Sequence, residues 1–269
     1  MRNLDQPEAT APILLFDSGV GGLSVLSALR RLLPEAPVIY AADLAGLPYG
    51  EKTEAAIAAR VAGLLGRLAE RYRPRLACIA CNTASTIALG MVRQVLEIPI
   101  VGTVPAIKPA AAMTRTGTIG LLGTAATVRQ TYVDSLEAEF AHGKTLLRHA
   151  SPSLVPAAEA RLRGARPDPA VYEEAAAGLR NQPGGEAIDT VVLACTHFPL
   201  VQDELQAAFG PDVRFVHGAE GIARRIAYLT RGQSFAPHEN LLVTTGTPEE
   251  AIALEPLLTG HGLDRVVRL

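Results

Sequence analysis

The chain has 269 residues, 48% of them apolar and 19% charged, with a formal net charge of −2. That is enough for one large or two ordinary globular domains, and the near-neutral balance favours neither nucleic acid, a membrane surface nor a polyanionic partner. Three cysteines exclude a disulfide framework and suit a reducing compartment. The polar lead 1–11 lacks the apolar segment of a secretion signal, and no apolar run reaches membrane-spanning length, so a cytoplasmic protein is expected. The only lysines are Lys52, Lys108 and Lys144, none in a context that suggests a pyridoxal phosphate Schiff base.

From the N-terminus, strand-length apolar runs at 12–16, 38–41, 76–80 and 100–102 alternate with helical periodicity over 22–33, 54–71 and 84–96. Strands at 118–122, 190–194, 213–216 and 240–244 and helices at 128–140, 169–180, 201–209 and 219–229 continue the pattern. Residues 181–185 read as a loop. Such alternation predicts parallel sheets covered by helices on both faces.

Two phrases repeat. Leu76–Ser85 reads Leu-Ala-Cys-Ile-Ala-Cys-Asn-Thr-Ala-Ser, and Val191–Leu200 reads Val-Val-Leu-Ala-Cys-Thr-His-Phe-Pro-Leu. Residues 13–19 similarly echo 119–124, each a strand running into a small-residue turn. The order implies two related α/β units, with the chain crossing to the second near 105 and returning near 219. The predicted domains are 1–105 plus 219–269, and 106–218. In open α/β sheets ligands bind beyond the carboxyl ends of strands. Asp17-Ser18, Cys81-Asn82-Thr83, Gly123-Thr124 and Cys195-Thr196-His197 all fall there.

Cys81 precedes a predicted helix, whose free N–H groups favour thiolate. A lone cysteine is more often a buried small hydrophobe; the matching position of Cys195 reverses that preference. Cys78 sits inside an apolar strand and reads as a core thiol, and Cys78-x-x-Cys81 lacks the second ligand pair of a zinc site. Asp17 is a candidate charged group or a helix cap. The run Gly19-Val20-Gly21-Gly22 fits the dinucleotide fingerprint poorly, though its amides are expected to hold a ligand carboxylate. His197 is placed to exchange a proton or pair with a thiolate. The other histidines (His142, His149, His217, His238 and His261) read as surface or packing residues. Pro48-Tyr49-Gly50 is either a bare turn or a substrate loop. Two thiols facing one carbon from opposite sides suit racemisation, because a proton can leave one face while another arrives at the other. A thiol's ordinary pKa of about 8.5 is easily bridged near neutrality.

Together Asp17–Gly22, Pro48-Tyr49-Gly50, Ala80–Ser85 and Cys195–Leu200 resemble the glutamate racemases of the aspartate/glutamate racemase superfamily, over about 13–230 and in the family's order. Gly221–Arg225 is similar to the family's late helix. The resemblance implies two pseudosymmetric three-layer α/β/α domains with mostly parallel sheets and the active site between them. It implies cofactor-independent, metal-free interconversion of L- and D-glutamate for peptidoglycan synthesis, and a homodimer. Cys81 would work on the D-enantiomer with Asp17, and Cys195 on the L-enantiomer with His197. Glu159 matches a further acidic residue of the family. Substrate contacts would come from Asp17, Ser18, Tyr49, Gly50, Asn82, Thr83, Thr196 and His197, with Thr124 and Thr127 as further candidates. Ser151 and Phe198 depart from the family's usual cysteine and tyrosine. The rival readings are an aspartate or hydantoin racemase, a non-catalytic α/β binding module, and a thiol oxidoreductase using Cys78 and Cys81.

Overall fold

The computed structural model describes residues 7–269, so residues 1–6 of the polar lead lie outside the description. Ten strands follow in chain order: β1 (Ile13–Asp17), β2 (Val38–Ala42), β3 (Leu76–Ile79), β4 (Ile100–Gly102), β5 (Thr118–Gly123), β6 (Thr145–Ala150), β7 (Thr190–Leu193), β8 (Arg214–His217), β9 (Leu241–Thr244) and β10 (Arg265–Arg268). The α-helices are α1 (Leu23–Leu32), α2 (Glu54–Tyr72), α3 (Asn82–Val95), α4 (Ile107–Met113), α5 (Ala125–Val128), α6 (Thr131–Phe140), α7 (Leu154–Leu162), α8 (Ala170–Arg180), α9 (Gln202–Phe209), α10 (Ala219–Leu229) and α11 (Pro248–His261).

The strands form two sheets, β10-β9-β2-β1-β3-β4 and β6-β5-β7-β8, and every pair in both is parallel. The order β2-β1-β3-β4 is repeated as β6-β5-β7-β8. Cys81 beyond β3 and Cys195 beyond β7 therefore occupy equivalent places, as do the turns after β1 and β5. Each sheet is buried on both faces. Ile13 and Leu15 of β1 pack with α1 and α10, while Leu14 and Phe16 pack with α2 and α3. In the second sheet Val191 and Leu193 face α7 and α8, and Val192 faces α4 and α6. Alternate side chains thus feed two apolar layers, which is why these strands read as continuous hydrophobic runs.

Several elements differ from the sequence reading. The helix expected over 128–140 is broken, with Val128 closing α5 and α6 starting at Thr131. The span 201–209 starts as a 3₁₀ turn, Phe198–Val201, and becomes α-helical at Gln202. Strands β6 and β10 were not expected. Both are edge strands with partly exposed side chains and charged residues, so neither shows an apolar run. The strand at 240–244 is accordingly not the last. Helices α4, α7 and α11 also escaped, α11 because its apolar residues surround the helix and Pro256 lies within it. Among the described residues, no helix is long and apolar enough to cross a membrane.

Candidate active site

Both sheets reverse strand order beside their first strand, and the site lies at those two switch points. Asp17 ends β1, and its main-chain carbonyl accepts from Asp43 N–H, which holds the ends of β1 and β2 together. Cys81 follows β3 and is the N-cap of α3, its sulfur accepting from Ala84 N–H at 3.5 Å. Cys195 and His197 occupy the turn after β7. Thr124 caps α5 after β5, accepting from Thr127 N–H at 3.2 Å.

These turns enclose one small cavity of about 20 Å³. Cys81 and Cys195 both line it, with Ser18, Asn82, Thr83 and Thr124 supplying polar wall and Tyr49 and Gly50 a further side. Thr196 and His197 complete the wall beside Cys195. Such a space holds about one water molecule, so admitting an amino acid requires the walls to separate. Asp17, Thr127 and Glu159, also expected at the site, do not line the cavity. They stand behind residues that do.

Asp17 is fully buried; its carboxylate accepts from Gly19 N–H at 2.9 Å and from Thr196 Oγ1 at 2.8 Å. It does not cap α1, whose N-cap is Gly22. Burial pushes its carboxyl above the ordinary value, against the charge of His197 and those two hydrogen bonds. Ser18 Oγ lies 3.6 Å from Cys81 Sγ. The expectation that the helix end would lower the Cys81 pKa is not met. Burial, with the negative charge of Asp17, pushes the thiol up to about 12 and outweighs Ala84 N–H and Ser18.

The second thiol has a different setting. Cys195 Sγ is 3.9 Å from His197 Nδ1, and His197 Nε2 donates to Glu159 Oε1 at 2.8 Å. A carboxylate can only accept, so Nε2 carries the proton. Burial alone would discharge the imidazolium. The contacts with Cys195 and Glu159 and the charge of Asp17 override it and hold the His197 pKa well above its ordinary value. Burial likewise works to raise Glu159, but His197, Val20 N–H at 3.2 Å and Arg163 at 2.8 Å hold its carboxyl below the usual range. A buried ion pair is therefore aimed at Cys195.

Two adjacent amides of the run expected to hold a ligand carboxylate are already taken, and none of its four residues lines the cavity. Gly19 N–H serves Asp17 and Val20 N–H serves Glu159. The glycines are there for close approach. A Cβ on Gly21 would sit 2.6 Å from His197 Nδ1 and from Thr196 Oγ1, and one on Gly19 would sit 2.7 Å from Glu159 Oε1. Thr83, Thr124 and Thr127 hydroxyls form a closed triangle with edges of 3.0–3.3 Å, joining the turn after β3 to the turn after β5. Tyr49 is buried, but its hydroxyl is bound to Asp43. Cys78 lies in the core, as expected. Sequence reasoning missed Val155 and Leu47 on the cavity wall, and Arg163 and Asp43 behind it. Both wall residues are ordinary apolar side chains, and both charged ones lack a local pattern. Among the described residues no group of three His, Cys, Asp or Glu side chains is arranged to hold a metal ion.

The family model for Asp/Glu/hydantoin racemases matches residues 23–226. The chain is 69% identical over 229 residues to the glutamate racemase of Sphingopyxis alaskensis, covering 85% of each protein. It is 43% identical over 260 residues to that of Sodalis glossinidius, covering 93% of this chain and 88% of the relative. Among solved structures, Escherichia coli glutamate racemase in complex with L-glutamate and the activator UDP-MurNAc-Ala superposes with a TM-score of 0.90 at 40% identity, over 96% of this chain and 98% of that one. Fold, repeated topology and these similarities agree that the chain belongs to the Asp/Glu/hydantoin racemase family.

Proposed function

We propose that the protein interconverts L- and D-glutamate, with Cys81 and Cys195 as the two acid–base groups and no cofactor. The observation that carries this reading is that the two thiols line one cavity from topologically equivalent turns of two sheets. In the L-to-D direction the Cys195 thiolate takes the α-proton while the Cys81 thiol delivers one to the opposite face. The reverse reaction exchanges these roles. The high proton affinity of Cys81 keeps it in the thiol form that this direction needs, and Asp17 beside it would take up that proton when the reaction runs the other way. The Glu159–His197 pair balances the charge that appears on Cys195. Ser18, Gly50, Asn82, Thr83, Thr124 and Thr196 would hold the substrate carboxylates and stabilise the carbanion-like transition state. Tyr49 would act through its main chain and ring, because Asp43 occupies its hydroxyl.

The domains we propose are 1–105 plus 219–269, and 106–218. Each carries one of the two cysteines that line the cavity, and their relative movement would open it. The D-glutamate formed would supply peptidoglycan synthesis in the cytoplasm. The names of the relatives favour glutamate over aspartate. The test is exchange in D₂O without added cofactor. Deuterium should enter the α-position of glutamate, and neither Cys81→Ala nor Cys195→Ala should racemise it. Absence of exchange, or full activity in either variant, refutes the mechanism. Faster turnover of aspartate refutes the substrate.

A further inference from the structure

One side of the cavity is formed by a segment whose anchor lies outside the site. Residues Leu44–Gly46 and Tyr49–Glu51 form two short 3₁₀ turns, with Leu47 and Pro48 between them, and this segment brings Tyr49 and Gly50 to the cavity wall. At its root the Asp43 side chain is fully buried and accepts four hydrogen bonds. Tyr49 Oη and Arg60 Nε reach Oδ2 at 2.5 Å each; Arg60 Nη2 and Thr245 Oγ1 reach Oδ1 at 2.6 Å each. Thr245 Oγ1 also accepts from Ala45 N–H at 3.1 Å. Arg60 comes from α2 and Thr245 from the turn after β9, so one carboxylate ties the segment to two separate elements. No side chain fits at Gly46, where a Cβ would lie 2.3 Å from Asp43 Oδ2 and 2.6 Å from Arg60 Nε. At the far end Gly50 is pressed against the opposite wall, a Cβ there meeting Thr124 Cβ at 2.9 Å.

We infer that Asp43, clamped by Arg60 and Thr245, is a positioning residue that sets the Tyr49–Gly50 wall against Thr124 and so fixes the room left for the substrate. This rests on the reading of the cavity as the substrate site. A buried carboxylate with a two-pronged guanidinium and two hydroxyls is a rigid node, because each bond to charge is stronger than a neutral one and Arg cannot lose its proton. Burial works against the Asp43 charge, but these partners hold its carboxyl below the usual range. Touching neither sulfur, the node acts on binding geometry rather than on proton transfer.

The test uses Tyr49→Phe, which removes one hydroxyl and keeps the ring, and Arg60→Ala. Tyr49→Phe should raise KM for glutamate about tenfold, the size expected for losing one hydrogen bond to a charged group, and Arg60→Ala, which removes two, at least as much, while kcat stays within about twofold in both. Hydrogen exchange at the amides of residues 46–52 should quicken about tenfold, while β1 and β3 stay protected. Should Arg60→Ala fail to fold, Tyr49→Phe carries the test alone. A fall in kcat at unchanged KM would mark a purely structural node and overturn the inference. So would unchanged exchange in the segment. If the unsubstituted protein racemised no glutamate, the functional reading would fall, and the exchange arm would still decide the anchoring.

Discussion

Replacing Gly21 with alanine tests whether the glycine run exists for close approach between the two halves. The added Cβ would lie 2.6 Å from His197 Nδ1 and Thr196 Oγ1, and 2.7 Å from the His197 main-chain nitrogen. The last contact is with backbone, so a side-chain rotation cannot relieve it. Reaching ordinary contact requires the Cys195–His197 turn to retreat by about 0.8 Å. Overpacking of this kind costs about 1–3 kcal/mol. The same shift moves the sulfur and imidazole relative to Cys81, and misplacement of that order lowers kcat/KM by about 10²-fold. Gly63→Ala is the control. Gly63 lies on the exposed face of α2 with nothing within 4 Å of an added Cβ. It should leave activity unchanged and stabilise the protein by about 1 kcal/mol through helix propensity. Steady-state rates and thermal melts of both variants decide the matter. Wild-type kcat/KM and Tm in Gly21→Ala would refute the close-approach argument.

Three further outcomes follow from the site. Because the folded His197 pKa lies above its unfolded value, its stabilising contribution is complete below about pH 6.5 and is lost as pH rises through the raised value. Glu159→Gln should bring that loss to lower pH, seen by NMR titration of the imidazole and by denaturant melts at several pH values; an unmoved His197 titration would discount the pair. Glu159 has the opposite sign, its stabilisation being present above its unfolded pKa and lost as pH falls through the depressed folded one. Arg163→Ala should raise the Glu159 pKa only modestly, because the arginine is half exposed and screened. Ser85 Oγ donates to the Ile79 carbonyl at 2.8 Å and accepts from Thr103 N–H at 3.0 Å behind Cys81. Ser85→Ala should therefore cost about 1–3 kcal/mol in a urea melt by leaving a buried N–H unpaired.

The parallel α/β class, eight of the ten described strands and the pairing of Cys81 with Cys195 were legible from the sequence. Each depends on local information, namely apolar runs buried on both faces, small-residue turns, and a phrase used twice. Edge strands β6 and β10 were not legible, because an edge needs no apolar run. The glycine run was misread for a related reason. A glycine kept free for a ligand and one kept free for a neighbouring histidine look alike in one dimension, and only the position of His197 separates them.

Chemistry at a strand end needs particular atoms at particular turns, and those turns are short-range features; the sequence alone therefore determined the cysteines, Asp17 and His197 as candidates. Their proton affinities were decided only by tertiary structure. A helix end favours thiolate, but burial beside Asp17 raises Cys81, and the Glu159–His197 pair, 38 positions apart in the chain, forms only when α7 packs beside the turn after β7. Desolvation and Coulomb energy depend on distances in space, and no spacing along the chain encodes them.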